Sequence, residues 1–157
     1  MEIPEVDGNA MRCALAFQRE MVKPKSAHYC VDPHQVVQCV RDTDVAWHAP
    51  CANRYGIGIE HTGYARQTAA EWDDDASRAI LERSAILVAD ICHRHGIPAV
   101  KLSSADLLAG KRGICGHFDT TEAWHKSSHV DPGPNFPWAQ YLAAVSAELD
   151  KLKESRA

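Results

Sequence analysis

The sequence predicts an α/β domain with a mixed central sheet flanked by helices. Three observations lead there. Two segments, near each end of the chain, carry apolar residues at helical spacing, and a longer one lies between them. Short runs rich in Val, Ile, Tyr and Cys lie between the helical segments, bounded by turn residues. The resulting order of helix, strands, helix, short strand and helix is that of a sheet covered by helices. At 157 residues, with no repeat or low-complexity tract, the chain forms one domain spanning 1–157.

Met1 to Gly8 reads as an acidic loop. From Asn9, a suitable N-cap, the residues Ala10, Cys13, Ala14, Phe17 and Met21 recur at helical spacing, and Pro24 ends a helix over 9–22. Ser26 to Val40 reads as a hairpin. Its strands are Tyr29–Val31 and Val36–Val40, and Asp32-Pro33-His34 makes the turn. A third strand is expected at 44–48, then a loop over 49–54. Over 55–62, YGIGIEHT, Ile57 and Ile59 share one face of a strand, and Gly56, Gly58 and Glu60 the other. Glycines beside a carboxylate leave room for something to approach the backbone.

The segment 68–95 gives the longest helix, with Ile80, Leu81, Ser84, Leu87, Val88 and Ile91 on its apolar face. Asp73, Asp74 and Asp75 suit its positive end, and Gly96 its stop. A short strand over 97–102, a short helix over 103–109 and an extended stretch over 114–118 follow. A final helix over 136–153 carries Leu142, Val145, Leu149 and Leu152 on one stripe.

The stretch 113–138, GICGHFDTTEAWHKSSHVDPGPNFPW, shows little periodicity but holds His117, His125, His129 and Asp131. In an extended segment residues i and i+2 point the same way, so His129 and Asp131 face one site. Pro132 and Pro134 stiffen the chain after the carboxylate, and Gly133 permits a tight turn. Imidazole and carboxylate on a rigid loop are what a metal site requires, with His117 and Asp131 as its ligands. A proline-rich surface loop with solvated histidines is the plainer alternative.

Composition narrows the function. A net charge of −4 offers no basic face for nucleic acid. No apolar run approaches the ~20 residues that span a bilayer. The acidic N-terminus MEIPEVDG has no basic, apolar leader pattern. Six cysteines without a CxxC pair read as packed, reduced thiols, with one bridge left possible.

Four stretches, SAHYCVD at 26–32, AWHAPCANRYGIGIEHTG at 46–63, GICGHFD at 113–119 and HVDPGPNFPW at 129–138, together resemble a known family. It is the zinc-dependent N-acetylmuramoyl-L-alanine amidases of the type-2 amidase and peptidoglycan-recognition fold. The stretches occur in the family's order and cover most of the chain. The HTG and QTAAEW segments look most like amidase domains of endolysins from actinobacteriophages, including mycobacteriophages.

The resemblance implies a Zn2+ cofactor with His117 and Asp131 as ligands, and Glu60 as the catalytic carboxylate. His129 stands where the family usually has a lysine that supports the oxyanion. Trp47, His48 and Asn53 fall in a stretch that lines the substrate groove. The family's first zinc histidine would fall at or before Met1, so the domain is expected to lack the N-terminal strand that carries it. The implied activity is hydrolysis of the amide between N-acetylmuramic acid and L-alanine. The alternative is a peptidoglycan-recognition domain that binds without cleaving. The implied partner is bacterial peptidoglycan, with no nucleic acid and no membrane span. The protein would be a monomer made in the host cytoplasm and acting at the cell wall.

Overall fold

The computed structural model describes residues 9–19 and 25–155. Three strands, β1 (Tyr29–Val31), β2 (Val36–Gln38) and β3 (Ile59–His61), form a mixed sheet in the order β2-β1-β3. β1 runs antiparallel to β2, with Cys30 opposite Val37, and parallel to β3, with Cys30 opposite Glu60. The mixed α/β architecture therefore stands as the sequence predicts.

Helix α1 (Asn9–Arg19) lies against β1 and β2. Asn9, expected as its cap, is already helical. The Ala10 N–H, one of the donors a helix start leaves open, is taken by the Asp32 carboxylate at 3.0 Å. Asp32 is fully buried and also accepts from the His34 and Gln35 N–H groups of the hairpin turn, both at 2.8 Å. One carboxylate thus ties helix to turn. The predicted end of α1, with Met21 and Pro24, lies outside the described residues.

The helix expected over 68–95 is two helices, α2 (Ala69–Trp72) and α3 (Asp75–His95). Thr68 and Glu71 cap α2 reciprocally. Asp74 then caps α3 by accepting the Ser77 N–H at 2.7 Å. An aspartate that serves better as a cap than in a helix interior divides the run. Gly96 ends α3 in the left-handed region, φ 60°. α6 (Trp138–Glu154) packs along α3, and Leu81, Val88, Cys92, Tyr141, Val145 and Leu149, with Trp72 and Phe136, form the main core.

Further expectations are corrected. No strand forms at 44–48; the segment bends, held by Trp47 N–H to Ser26 Oγ at 2.8 Å and by the His28 ring to the Asp44 carbonyl at 3.1 Å. The 97–102 strand shrinks to one parallel bridge between Lys101 and Ile114. Besides the expected short helix α4 (Ser104–Leu108), the stretch read as nearly free of helix contains α5 (His117–Trp124). Asp119 begins α5 by accepting the Gly116 N–H at 2.7 Å, and His125 closes it at φ 52°.

Candidate metal centre

Side chains alternate along a strand, so β3 sends Glu60 and His61 to opposite faces. His61 enters the core, where its Nε2 meets Ser84 Oγ at 2.6 Å and Ser84 meets Tyr141 OH at 2.7 Å. Glu60 lies on the other face, beside Cys30 of β1.

His117 opens α5, and the loop bearing Asp131 docks onto that helix start. The Phe118 N–H donates to the Asp131 carbonyl at 3.0 Å. At Gly116 an added Cβ would stand 2.6 Å from Pro132 Cδ, so only glycine admits this approach. The loop is seated on its other side at Gly133, φ 93°, where an added Cβ would lie 1.9 Å from the Ala65 carbonyl oxygen. Asn135 Nδ2 donates to the Gln67 carbonyl at 3.0 Å. The Asp131–Pro132 bond is cis.

Three donors converge as a result. His117 Nδ1 is 3.3 Å from Asp131 Oδ2, and His129 Nδ1 is 3.2 Å from Asp131 Oδ1. The two imidazoles stack at 4.1 Å, tilted by 8°. The i, i+2 reading of His129 and Asp131 is borne out in geometry. Burial raises the Asp131 carboxyl pKa, but hydrogen bonding and charge from His117, with charge from His129, bring it below the ordinary carboxylate value. The donor atoms of the trio lie within 4.8 Å of one another. Imidazole and carboxylate are zinc donor types, and the 3.3 Å between His117 Nδ1 and Asp131 Oδ2 matches the roughly 3.3 Å that separates ligand atoms in a tetrahedral site with bonds of about 2.0–2.1 Å. His117 Nε2 is buried without a partner.

Burial pushes the Glu60 carboxyl up to about 7; the Asp131 charge adds to the rise and His117 opposes it. Glu60 therefore shares a field with Asp131 and His117 of the cluster, and burial brings its carboxyl into the range suited to proton transfer.

The remaining sequence candidates lie on one loop. The His48 ring packs on β3's entry: an added Cβ at Gly58 would lie 2.4 Å from His48 Cγ. The room expected beside the glycines is used by this imidazole, which approaches the backbone there. Its Nε2 pairs with the Gly56 carbonyl at 3.1 Å, and burial, then the charges of His28 and His117, push its pKa down to about 4. Asn53 Oδ1 accepts the His48 and Ala49 N–H groups at 2.9 and 2.7 Å, so it shapes the loop. Trp47 is 56% exposed and free to meet a ligand. His28 hydrogen-bonds within the fold, accepting from Gly58 N–H at 3.0 Å.

Sequence reasoning missed the support beneath His117. Lys101 pairs with Asp119 at 2.6 Å and lies 4.6 Å over the Trp138 ring. The legible signal was the aspartate three residues after Gly116, a helix-start pattern.

A profile of the N-acetylmuramoyl-L-alanine amidases matches residues 5–134. The chain belongs to this amidase family. It is 34% identical over 129 residues to N-acetylmuramoyl-L-alanine amidase A of Achromobacter lyticus, covering 77% of this chain and 68% of that one. It is 30% identical over 135 residues to a probable N-acetylmuramoyl-L-alanine amidase of Bacillus licheniformis, covering 81% of this chain and 32% of the relative. Its fold is similar to the crystal structure of the Staphylococcus aureus hydrolase AmiA in complex with its ligand. There the TM-score is 0.70 at 14% identity, over 94% of this chain and 70% of the other. A mutant of PlyL gives a TM-score of 0.58 at 14% identity, over 93% and 78%. These two likenesses bear on the amidase fold alone.

Proposed function

We propose that this amidase is a zinc-dependent peptidoglycan hydrolase that cleaves the amide between N-acetylmuramic acid and L-alanine. The observation that carries the reading is the convergence of His117, His129 and Asp131 on one point, with the buried Glu60 carboxyl in the field of Asp131 and His117. His117 and Asp131 would hold the ion. When bound, zinc polarises the scissile carbonyl and acidifies water.

The chain's own residues do the rest. Glu60, as carboxylate, accepts a proton from the attacking water, then gives it to the departing amine nitrogen. His129 offers a ring N–H to the carbonyl oxygen as negative charge develops there. Trp47 presents an exposed indole for stacking on the sugar, on a loop whose shape His48 and Asn53 maintain.

The HTG and QTAAEW segments support a lytic role in a phage, with synthesis in the host cytoplasm and action at the wall. The protein would act as a single-domain monomer on peptidoglycan, without nucleic acid. Among the described residues, no helix is long and apolar enough to cross a membrane.

The test is release of free L-alanine amino groups from purified cell walls, with zinc and with chelator. Zinc-dependent release is expected. No release by zinc-loaded protein overturns the reading, and chelator-insensitive binding without release would mark a recognition module instead.

A further inference from the structure

Away from the metal cluster, three cysteines meet where α1 covers the hairpin. Cys30 Sγ lies 3.7 Å from Cys39 Sγ. Cys13 of α1 also contacts Cys30. Cys30 opposes Val37 across the β1–β2 ladder, and Cys39 lies two residues beyond, so both side chains emerge on one face. Cys13 and Cys30 are fully buried, whereas Cys39 is half-buried. Of the three, only Cys39 is reachable from solvent.

We infer that Cys30 and Cys39 are an oxidation site, which a small-molecule disulfide converts into a bond stapling the β1–β2 hairpin, leaving Cys13 reduced. Cys39 thiolate attacks one sulfur of the external disulfide; that S–S bond breaks, and one small thiolate leaves. Cys30 gives up its proton and attacks Cys39 Sγ, expelling the second small thiolate. Two protein thiols are oxidised, and one external disulfide is reduced to two thiols, which take up the two protons. The attack has little distance to cover, since a disulfide needs about 2.05 Å between sulfurs that already touch. Hydrogen bonding from the Cys30 thiol lowers the Cys39 pKa, while contacts with Cys13 and Cys39 and burial raise that of Cys30, which favours Cys39 as the first attacking thiolate and Cys30 as the second.

The staple would act on elements already described. Between the two cysteines lies the Asp32 turn that clamps α1, and β1 is the strand against which Glu60 is aligned. The inference stands independently of the amidase reading.

The test treats the folded protein with millimolar oxidised glutathione, then measures intact mass, disulfide-linked peptides and melting temperature. Exposed Cys51 serves as the internal sign that the oxidant has acted. Expected are a linked Cys30–Cys39 peptide, with loss of about 2 Da for the bond itself beyond any adduct on Cys51, and a melting rise of about 5–10 °C. Cys13→Ser should still form the bond, and Cys39→Ser should not. A mixed disulfide persisting on Cys39, a Cys13–Cys30 bond, or glutathione on Cys51 with Cys30 and Cys39 untouched overturns the inference. A bonded protein that melts no higher overturns the stapling.

Discussion

Replacing Gly133 with alanine should unseat the loop that carries Asp131. The added Cβ would lie 1.9 Å from the Ala65 carbonyl oxygen and 2.9 Å from its carbon. These are backbone atoms that cannot rotate away, so the two loops must part by roughly 1–1.5 Å to reach a tolerable contact. The residue also sits at φ 93°, which costs an L side chain about 1–2 kcal/mol. With an overpacking cost of about 1–3 kcal/mol, the loss is about 2–5 kcal/mol, or a melting decrease on the order of 10 °C. The same displacement pulls Asp131 from His117, so zinc affinity should fall about 10–100-fold. Thermal melts and zinc titration calorimetry measure both effects. Gly133→Asn tolerates positive φ but carries the same Cβ, so it should not restore binding. An alanine variant with wild-type melting and wild-type zinc affinity would refute the claim that this contact seats the metal loop.

Glu60→Gln should retain zinc and lose about 10²–10⁴-fold in wall hydrolysis; undiminished turnover would remove Glu60 from the chemistry. The raised Glu60 carboxyl keeps its proton in the metal-free fold between its ordinary 4.5 and about 7. Its contribution to stability therefore declines as pH rises through 7, and the glutamine variant should lose that decline in melts. His48 and His61 have the opposite sign, because burial depresses both imidazoles to about 4. Their stabilisation is complete above 6.5 and lost as pH falls toward 4, so melts should weaken over that window, less so in His61→Gln. Asn53→Ala leaves the His48 and Ala49 N–H groups without their acceptor and should cost about 1–2 kcal/mol, read as a lower melting temperature.

How much was legible in the sequence depends on how local each cause is. The Gly96 stop and the apolar stripes of α3 and α6 rest on spacing within one helix, and the structure has them. His129 and Asp131 face one way because they sit two apart in an extended loop. Non-local partners were hidden. Gly58 signalled space, but nothing in its neighbours says that His48 fills it. The Asp32 clamp on α1 joins residues that are separated by the whole 9–32 segment. α5 was obscured because its apolar content is low and its stability comes from capping and from docking on the Asp131 loop. The break before α3 was misread because Asp73–Asp75 serve equally as helix-start charges and as a cap.

His117 and Asp131 are expected to share one ion within reach of Glu60. An anomalous difference map at the zinc absorption edge, from crystals of the zinc-loaded protein, tests this most directly. One peak is expected about 2.0–2.2 Å from His117 and from Asp131, on the side facing Glu60. Zinc bound elsewhere, or absent from this cluster in a folded and saturated protein, would contradict it.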